Sequence, residues 1–339
     1  MGSPHLDAAD ALAPTLFLTD ADVAALTDWR AAFHALRDAY ARPVSAAMVP
    51  PRSMARGDGL WLRGLSAVSP SGRHMGCKLI AANMKERRAS YLVSLFDQTT
   101  MALSALIDGN RITGIRTAAT AAVAVDALAA PGQDLDVAVI GSGFEAQGLV
   151  AALAAVRPIR RVRVFSPTPA SRETFAAACR ERHGLPATAL DSAASAVAGA
   201  DLVLCATRSR DESPVLRGQW LEPGMAVVSI GSTLPEQREV DEQVIARAAL
   251  VVADMPEEVA HDTGDMLAAA RAGVAFAHKL VPLTALVGGR VSKSASDIVL
   301  YKSVGSALQD VITAEMLLDR ARERGVGSAL AHSIVPVSK

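Results

Sequence analysis

Hydrophobic positions along this chain change their period twice, and the changes mark out its elements. Thr19 and Asp20 precede apolar residues at Val23, Leu26, Trp29, Phe33 and Leu36. A capping residue followed by helical spacing predicts one or more amphipathic helices at the start of the fold. Short apolar runs then occur at 61–65, 76–80, 90–96 and 102–107, separated by Gly, Pro and polar turns, the last stopping at Asp108-Gly109. These read as strands of a sheet within an α+β unit. Residues 113–130 are mostly Ala, Val and Thr with few charges, which predicts a largely buried helix ended by Pro131-Gly132 at a domain boundary.

Beyond that boundary strand and helix patterns alternate, at 137–140, 144–156, 162–165, 169–182, 202–206, 226–230 and 250–253. Such alternation implies an α/β fold with a Rossmann doubly wound parallel sheet. In 297–324 the apolar residues Val304, Leu308, Val311, Ile312, Met316 and Leu317 have helical spacing. This segment is expected to follow the last strand of the parallel sheet and to pack back on the first unit. The predicted layout is a discontinuous unit of 1–130 and 304–339 around a nucleotide-binding unit of 131–303.

Composition adds exclusions. At 339 residues, 50% hydrophobic and formal charge −1, the chain has room for two globular domains and nothing that recruits nucleic acid. Basic runs are absent and the few aromatics are not interleaved with Lys or Arg. Cys77, Cys179 and Cys205 are far apart in apolar or alanine-rich surroundings and suggest neither a disulfide framework nor a metal site. No stretch approaches the roughly 20 apolar residues of a membrane span. Residues 1–10 read as a leader outside the fold, without the pattern of a signal peptide. The expected location is the cytoplasm.

Candidate chemistry starts at the strand 137–140, which runs into Gly141-Ser142-Gly143-Phe144-Glu145-Ala146 and then an alanine-rich helix. Gly141 permits a tight turn, Gly143 lets the backbone approach a pyrophosphate, and Ala146 lets helix and strand pack closely. The helix N-terminus leaves N–H groups for the phosphates. This is a dinucleotide site. NAD-selective sites end the next strand in a carboxylate, roughly 20 residues downstream. Here the strand ends Phe165-Ser166-Pro167-Thr168, with Ser171 and Arg172 close behind. Ser166, Thr168 and Arg172 suit a 2′-phosphate, which favours NADP over NAD, although Ser166 and Thr168 also fit as caps of the following helix.

Three cations stand in apolar or turn-like settings in the first unit: Arg52 after Pro50-Pro51, Lys78 between Cys77 and Leu79, and Arg116 in Gly114-Ile115-Arg116-Thr117. Each alone fits an internal ion pair. Together their common partner is a substrate carboxylate, because a half-buried ammonium needs an anion or a lowered pKa and Arg clamps carboxylates in bidentate fashion.

Lys78, Leu95-Phe96-Asp97, Ile107-Asp108-Gly109, the block 112–119, Val139-Ile140-Gly141-Ser142-Gly143, Ile230-Gly231, Arg238-Glu239-Val240-Asp241 and the tail 297–305 come in an order and spacing that resembles the ornithine cyclodeaminase/mu-crystallin family. The similarity spans most of the chain, and Arg116-Thr117-Ala118-Ala119 about 25 residues before the glycine turn is its most specific part. The resemblance implies a homodimer with a discontinuous substrate-binding and dimerisation domain. It also implies a Rossmann domain holding NAD(P) and a small α-imino or α-amino acid as substrate. By it, Arg52, Lys78 and Arg116 look like the carboxylate set, with Lys78 and Arg116 in the catalytic centre. Thr117, Ser232 and Thr233 join Gly141 to Ala146 along the cofactor.

Two departures matter. Cyclodeaminases of the family carry Asp in a Gly-Ala-Asp sequence where this chain has Gly231-Ser232-Thr233. A diamine substrate loses its amine anchor there, whereas imine reduction needs only hydride, a carboxylate clamp and a proton donor. Arg88, in Lys85-Glu86-Arg87-Arg88, replaces a small or hydroxyl residue; it reads either as part of a solvated charged turn or as a contact to a second substrate carboxylate, as in iminosuccinate. The cluster His261-Asp262-Thr263-Gly264-Asp265 lacks metal spacing and is assigned to the nucleotide domain. The expected activity is NAD(P)H-dependent reduction of an α-imino acid, or the reverse dehydrogenation. The alternatives are an ornithine or lysine cyclodeaminase that recycles NAD, and an NADP(H)-binding crystallin-like protein.

Overall fold

A computed structural model describes residues 13–130, 132–207 and 213–337. The leader at 1–10 and Pro131 lie outside these residues. The first unit opens with strand β1 (Leu16–Leu18) and helices α1 (Asp20–Leu26) and α2 (Trp29–Tyr40). Thr19 and Asp22 form a reciprocal capping box on α1, and Asp28 caps α2. Their apolar stripes bury Val23, Leu26, Phe33 and Leu36, so the predicted amphipathic helices form with the predicted faces inward.

An antiparallel meander follows: β2 (Ser53–Gly57), β3 (Leu60–Val68), β4 (His74–Asn83), β5 (Arg88–Asp97) and β6 (Leu103–Asp108). Together with β1 and the closing β15 (Ser328–Ala329) they make one sheet in the order β15-β1-β6-β5-β4-β3-β2. Leu65, Lys78 and Val93 lie side by side on one face of this sheet, with side chains turned into the protein. Leu62, Leu79 and Leu92 alternate with them on the other face.

Helix α3 (Asn110–Leu128) is buried along almost its whole length. Its Ala and Gly residues let neighbours approach closely, and it packs on α2 and on α4 (Phe144–Ala154). The parallel sheet comprises β7 (Leu135–Ile140), β8 (Ile159–Phe165), β9 (Ala187–Ala189), β10 (Leu202–Cys205), β11 (Ala226–Ser229), β12 (Leu250–Ala253), β13 (Leu280–Pro282) and β14 (Val299–Lys302). Their order is β13-β12-β14-β11-β10-β7-β8-β9, a doubly wound arrangement with α4, α5 (Pro169–His183), α6 (Ala193–Val197), α7 (Glu242–Arg247), α8 (Pro256–Asp262), α9 (Gly264–Arg271) and α10 (Leu283–Val287) as connections.

The expected continuous helical segment at 297–324 needs correction. Val299–Lys302 is a strand inserted between β11 and β12, and helix α11 (Ala307–Arg324) begins only after it. A short, largely apolar run fits either period, and the central gap of the parallel sheet decides for the strand. Helix α11 then crosses to pack on β4, α2 and α3 of the first unit. No helix among the described residues is long and apolar enough to cross a membrane.

Candidate active site

The glycine turn follows a strand buried at every position. Gly141 has φ +113, and a Cβ on it would stand 2.5 Å from the Ala206 carbonyl oxygen. Only glycine meets both demands. Gly143 caps α4 without a side-chain hydrogen bond, and a Cβ there would meet nothing within 4 Å. The open side of the turn therefore faces the amides of Phe144, Glu145 and Ala146, which a dinucleotide pyrophosphate fits. Ser142 Oγ lies 2.9 Å from Ser166 Oγ, tying the turn to the end of β8. Arg172 donates to the Ser166 carbonyl at 3.1 Å and pairs with Asp191. Ser166, Thr168 and Arg172 thus lie together at the strand end. Gly114 packs on the Phe144 ring so closely that a Cβ would collide with it. The first turns of α3 therefore run beside the glycine turn, and Thr117 is buried one turn further on.

The cations converge at the carboxyl ends of β12 and β14. Lys78 Nζ donates to Asp310 Oδ1 at 2.7 Å, with side chains 2% and 0% exposed. Arg116 Nε lies 3.4 Å from the same oxygen, and its Nη1 donates to Gln309 Oε1 at 2.9 Å. Gln309 Nε2 donates in turn to Tyr40 Oη at 3.0 Å and Asp254 Oδ2 at 2.9 Å. Asp254 also accepts from Ser303 Oγ and from the amides of Val304 and Gly305. Gly305 has φ +81, and any Cβ on it would strike the Arg116 guanidinium. The turn between β14 and α11 is thus shaped around Arg116. Burial pulls the Lys78 ammonium down to about 8, and the charge of Asp310 opposes that fall.

Arg52 has a carboxylate partner of its own. Its Nε donates to Glu258 Oε2 at 2.5 Å, its Nη2 reaches the same oxygen, and its backbone N–H donates to Oε1 at 3.2 Å. Helix α8 thus supplies a carboxylate that holds this guanidinium. Arg88 is not brought to the cluster. It pairs with Asn83 in the hairpin register, which puts it on the face of the sheet opposite Lys78. Its side chain is 83% exposed and lies 3.7 Å from Glu86. Asn83 lies five positions along β4 from Lys78, about 16 Å along the strand. Thr233 and Ser232 stand in the turn after β11, where Gln237 accepts from both.

Sequence reasoning missed a second buried network. Lys302 Nζ donates to Asp265 Oδ2 at 2.7 Å and to Ser229 Oγ at 2.9 Å. Glu239 accepts from Ser229 Oγ and from the amides of Thr207 and Gly231, while Asp265 accepts from the amides of Glu239 and Val240. Burial pushes the Glu239 carboxyl up, against the pull of Lys302. The network ties together the ends of β10, β11 and β14. Glu239 and Asp265 stood in blocks the sequence singled out, but nothing local to either showed that Lys302 faces them. Asp310 was missed as well, since one acid on an amphipathic helix looks like any solvated residue.

A glycine turn at the head of a doubly wound sheet, with Lys78, Arg116 and Asp310 buried together at the carboxyl ends of its strands, marks a dinucleotide-binding protein. Residues 14–325 match the model of the ornithine cyclodeaminase/mu-crystallin family, and the chain belongs to that family. It is 31% identical over 296 residues to a Delta(1)-pyrroline-2-carboxylate reductase of Bacillus cereus, covering 86% of each chain. It is 29% identical to the ketimine reductase mu-crystallin of Mus musculus, over 67% of this chain and 68% of that one. Among solved structures, the Thermococcus litoralis Delta(1)-pyrroline-2-carboxylate reductase in complex with NADH and L-proline superposes with a TM-score of 0.84 at 25% identity, covering 93% of this chain and all of that one.

Proposed function

We propose that the protein is an NAD(P)-dependent oxidoreductase that reduces the C=N bond of an α-imino acid to give an amino acid. The observation that carries this reading is the buried group of Lys78 and Arg116 around Asp310 at the carboxyl ends of the parallel strands, with Arg63 in electrostatic reach of both Lys78 and Arg52. Arg116 and Arg52 would bind the substrate carboxylate, Arg52 by exchanging Glu258 for it. Lys78 would orient the substrate and give a proton to its nitrogen. An ammonium brought down to about 8 by burial is a competent acid near neutral pH. Gly141, Ser142, Gly143 and Thr117 would hold the phosphates of a reduced nicotinamide dinucleotide, which would supply the hydride. The names of the relatives, a pyrroline-2-carboxylate reductase and a ketimine reductase, support the same chemistry.

NADPH is the favoured cofactor in this reading. Ser166, Thr168 and Arg172 surround the strand end and no carboxylate stands on the strand itself; Asp191, an exposed partner of Arg172, would share it with a 2′-phosphate. Cyclodeamination is disfavoured because Thr233 offers no charge to a diamine, Asp265 is committed to Lys302, and Asp262 is exposed. The assembly we infer is a homodimer. Leu60, Leu62, Val68, Leu79 and Phe17 are 37–54% exposed and share the outer face of the first sheet. Apolar residues collected on one sheet face suit a second copy of the chain better than water. The expected place of work is the cytoplasm, where NAD(P)H is available.

The test is to follow NADPH and NADH absorbance with preformed cyclic imines and with keto acids plus ammonia. Stoichiometric oxidation of cofactor with formation of amino acid is expected, together with no proline from ornithine and catalytic NAD. Lys78→Met should lower turnover at least 100-fold while cofactor still binds. Robust proline formation from ornithine by the unaltered protein overturns the reading.

A further inference from the structure

Arg63 is a cation of the cluster that the clamp does not use. It lies on β3 opposite Ile80, two residues along from Leu65, which is opposite Lys78. Arg63 and Lys78 are therefore diagonal neighbours on the same inward face, about 7–8 Å apart at the backbone. Its guanidinium carbon stands 5.1 Å from the centre of the Trp61 ring, which covers one side. Its Nε is buried and has no hydrogen-bond partner among the described residues.

The charged and titratable groups around Arg63 are Arg52, Arg56, Glu258 and Tyr91, with Lys78 also in reach. Glu258 is the one carboxylate among them, and Arg52 already holds it. Burial and the charge of Arg52 both disfavour the guanidinium form, yet an arginine does not give up its proton in proteins. An unmatched guanidinium in a half-buried setting is costly unless an anion completes it. We propose that the missing anion is a second acidic group on the substrate, read by Arg63 while Arg116 and Lys78 hold the carboxylate next to the imine carbon. The preferred substrate is then a dicarboxylic α-imino acid.

This inference rests on the imine-reductase reading, and the experiment separates the two. The imine formed from oxaloacetate and ammonia is compared with that from 2-oxobutanoate and ammonia, which has the same number of carbons and lacks the distal carboxylate. Cyclic pyrroline-2-carboxylate serves as a further monocarboxylic substrate. The unaltered protein should favour the dicarboxylic imine in kcat/KM by at least about tenfold, the scale of one charge-assisted hydrogen bond. Arg63→Met should bring that ratio close to one, and Arg63→Lys, which keeps the charge and loses the planar fork, should hold part of it. Equal kcat/KM for the two classes in the unaltered protein, or a ratio that Arg63→Met and Arg63→Lys both leave unchanged, overturns the proposal. Turnover of monocarboxylic imines alone overturns it too and leaves the reductase reading standing. Absence of turnover with every imine overturns both.

Discussion

Each candidate side chain owes its chemistry to neighbours that are remote in sequence. Lys78 is an acid near neutrality because β4 buries it, while Asp310, 232 residues away, keeps it charged. If it donates the proton, its charged form is the active one. That form is present below about 8 and lost above it, so kcat/KM should fall as pH rises through about 8, by about tenfold per further unit. A flat profile from pH 7 to 9 excludes Lys78 as the donor. The two glycines of the turn should separate folding from binding. Gly141→Ala meets the Ala206 carbonyl and a left-handed φ, so it should lower the unfolding midpoint. Gly143→Val enters open space and should change the unfolding free energy by less than about 1 kcal/mol while abolishing cofactor binding by fluorescence titration. Those glycines were legible in the sequence, because a turn between a strand and a helix is a local matter. Arg63 and Asp310 were not, because an arginine among alternating residues and an acid on a helix show no sign of what faces them.

At the scale of elements, the ends of the parallel strands are held by buried ions rather than by packing alone. Lys302 and Asp265, both fully buried, join β14 to the loop after β11. Lys302→Met leaves Asp265 charged, buried and short of a partner, and should cost about 3–5 kcal/mol. Urea unfolding checks this, and a loss below about 1 kcal/mol would show that the network is dispensable. The elements themselves were mostly legible. Helices α1 to α5 and strands β3 to β8, β10, β11 and β12 follow the hydrophobic period of the chain, with shifts of a few residues at their ends. Strand β14 was not, since so short and largely apolar a run before a helix carries no period of its own and only the place between β11 and β12 makes it a strand.

For the whole molecule, the two sheets meet across α3, which touches β5 of one and β11 and β14 of the other and carries Arg116. Glu258 reaches across from α8 to Arg52, so both units contribute to the cluster. The outer face of the first sheet points away from it and carries the exposed leucines. Leu79→Asp, on that face, should convert a dimer to a monomer in light scattering, because a desolvated carboxylate in an apolar interface is strongly unfavourable. An unchanged mass would place the contact elsewhere.

Sequence by itself determined the nucleotide turn, the alternation of strand and helix behind it, strands β3 to β6 of the first unit and the three cations Arg52, Lys78 and Arg116. All of these rest on local period, turn chemistry and residue type. Tertiary structure decided what those cations face. It gave Asp310 to Lys78 and Arg116, gave Glu258 to Arg52, turned Arg88 to the opposite side of the sheet and left Arg63 without an anion. The physical reason is that a charge takes its pKa and its partner from whatever lies within a few ångströms in space. In this chain those neighbours come from strands and helices separated by up to 232 positions.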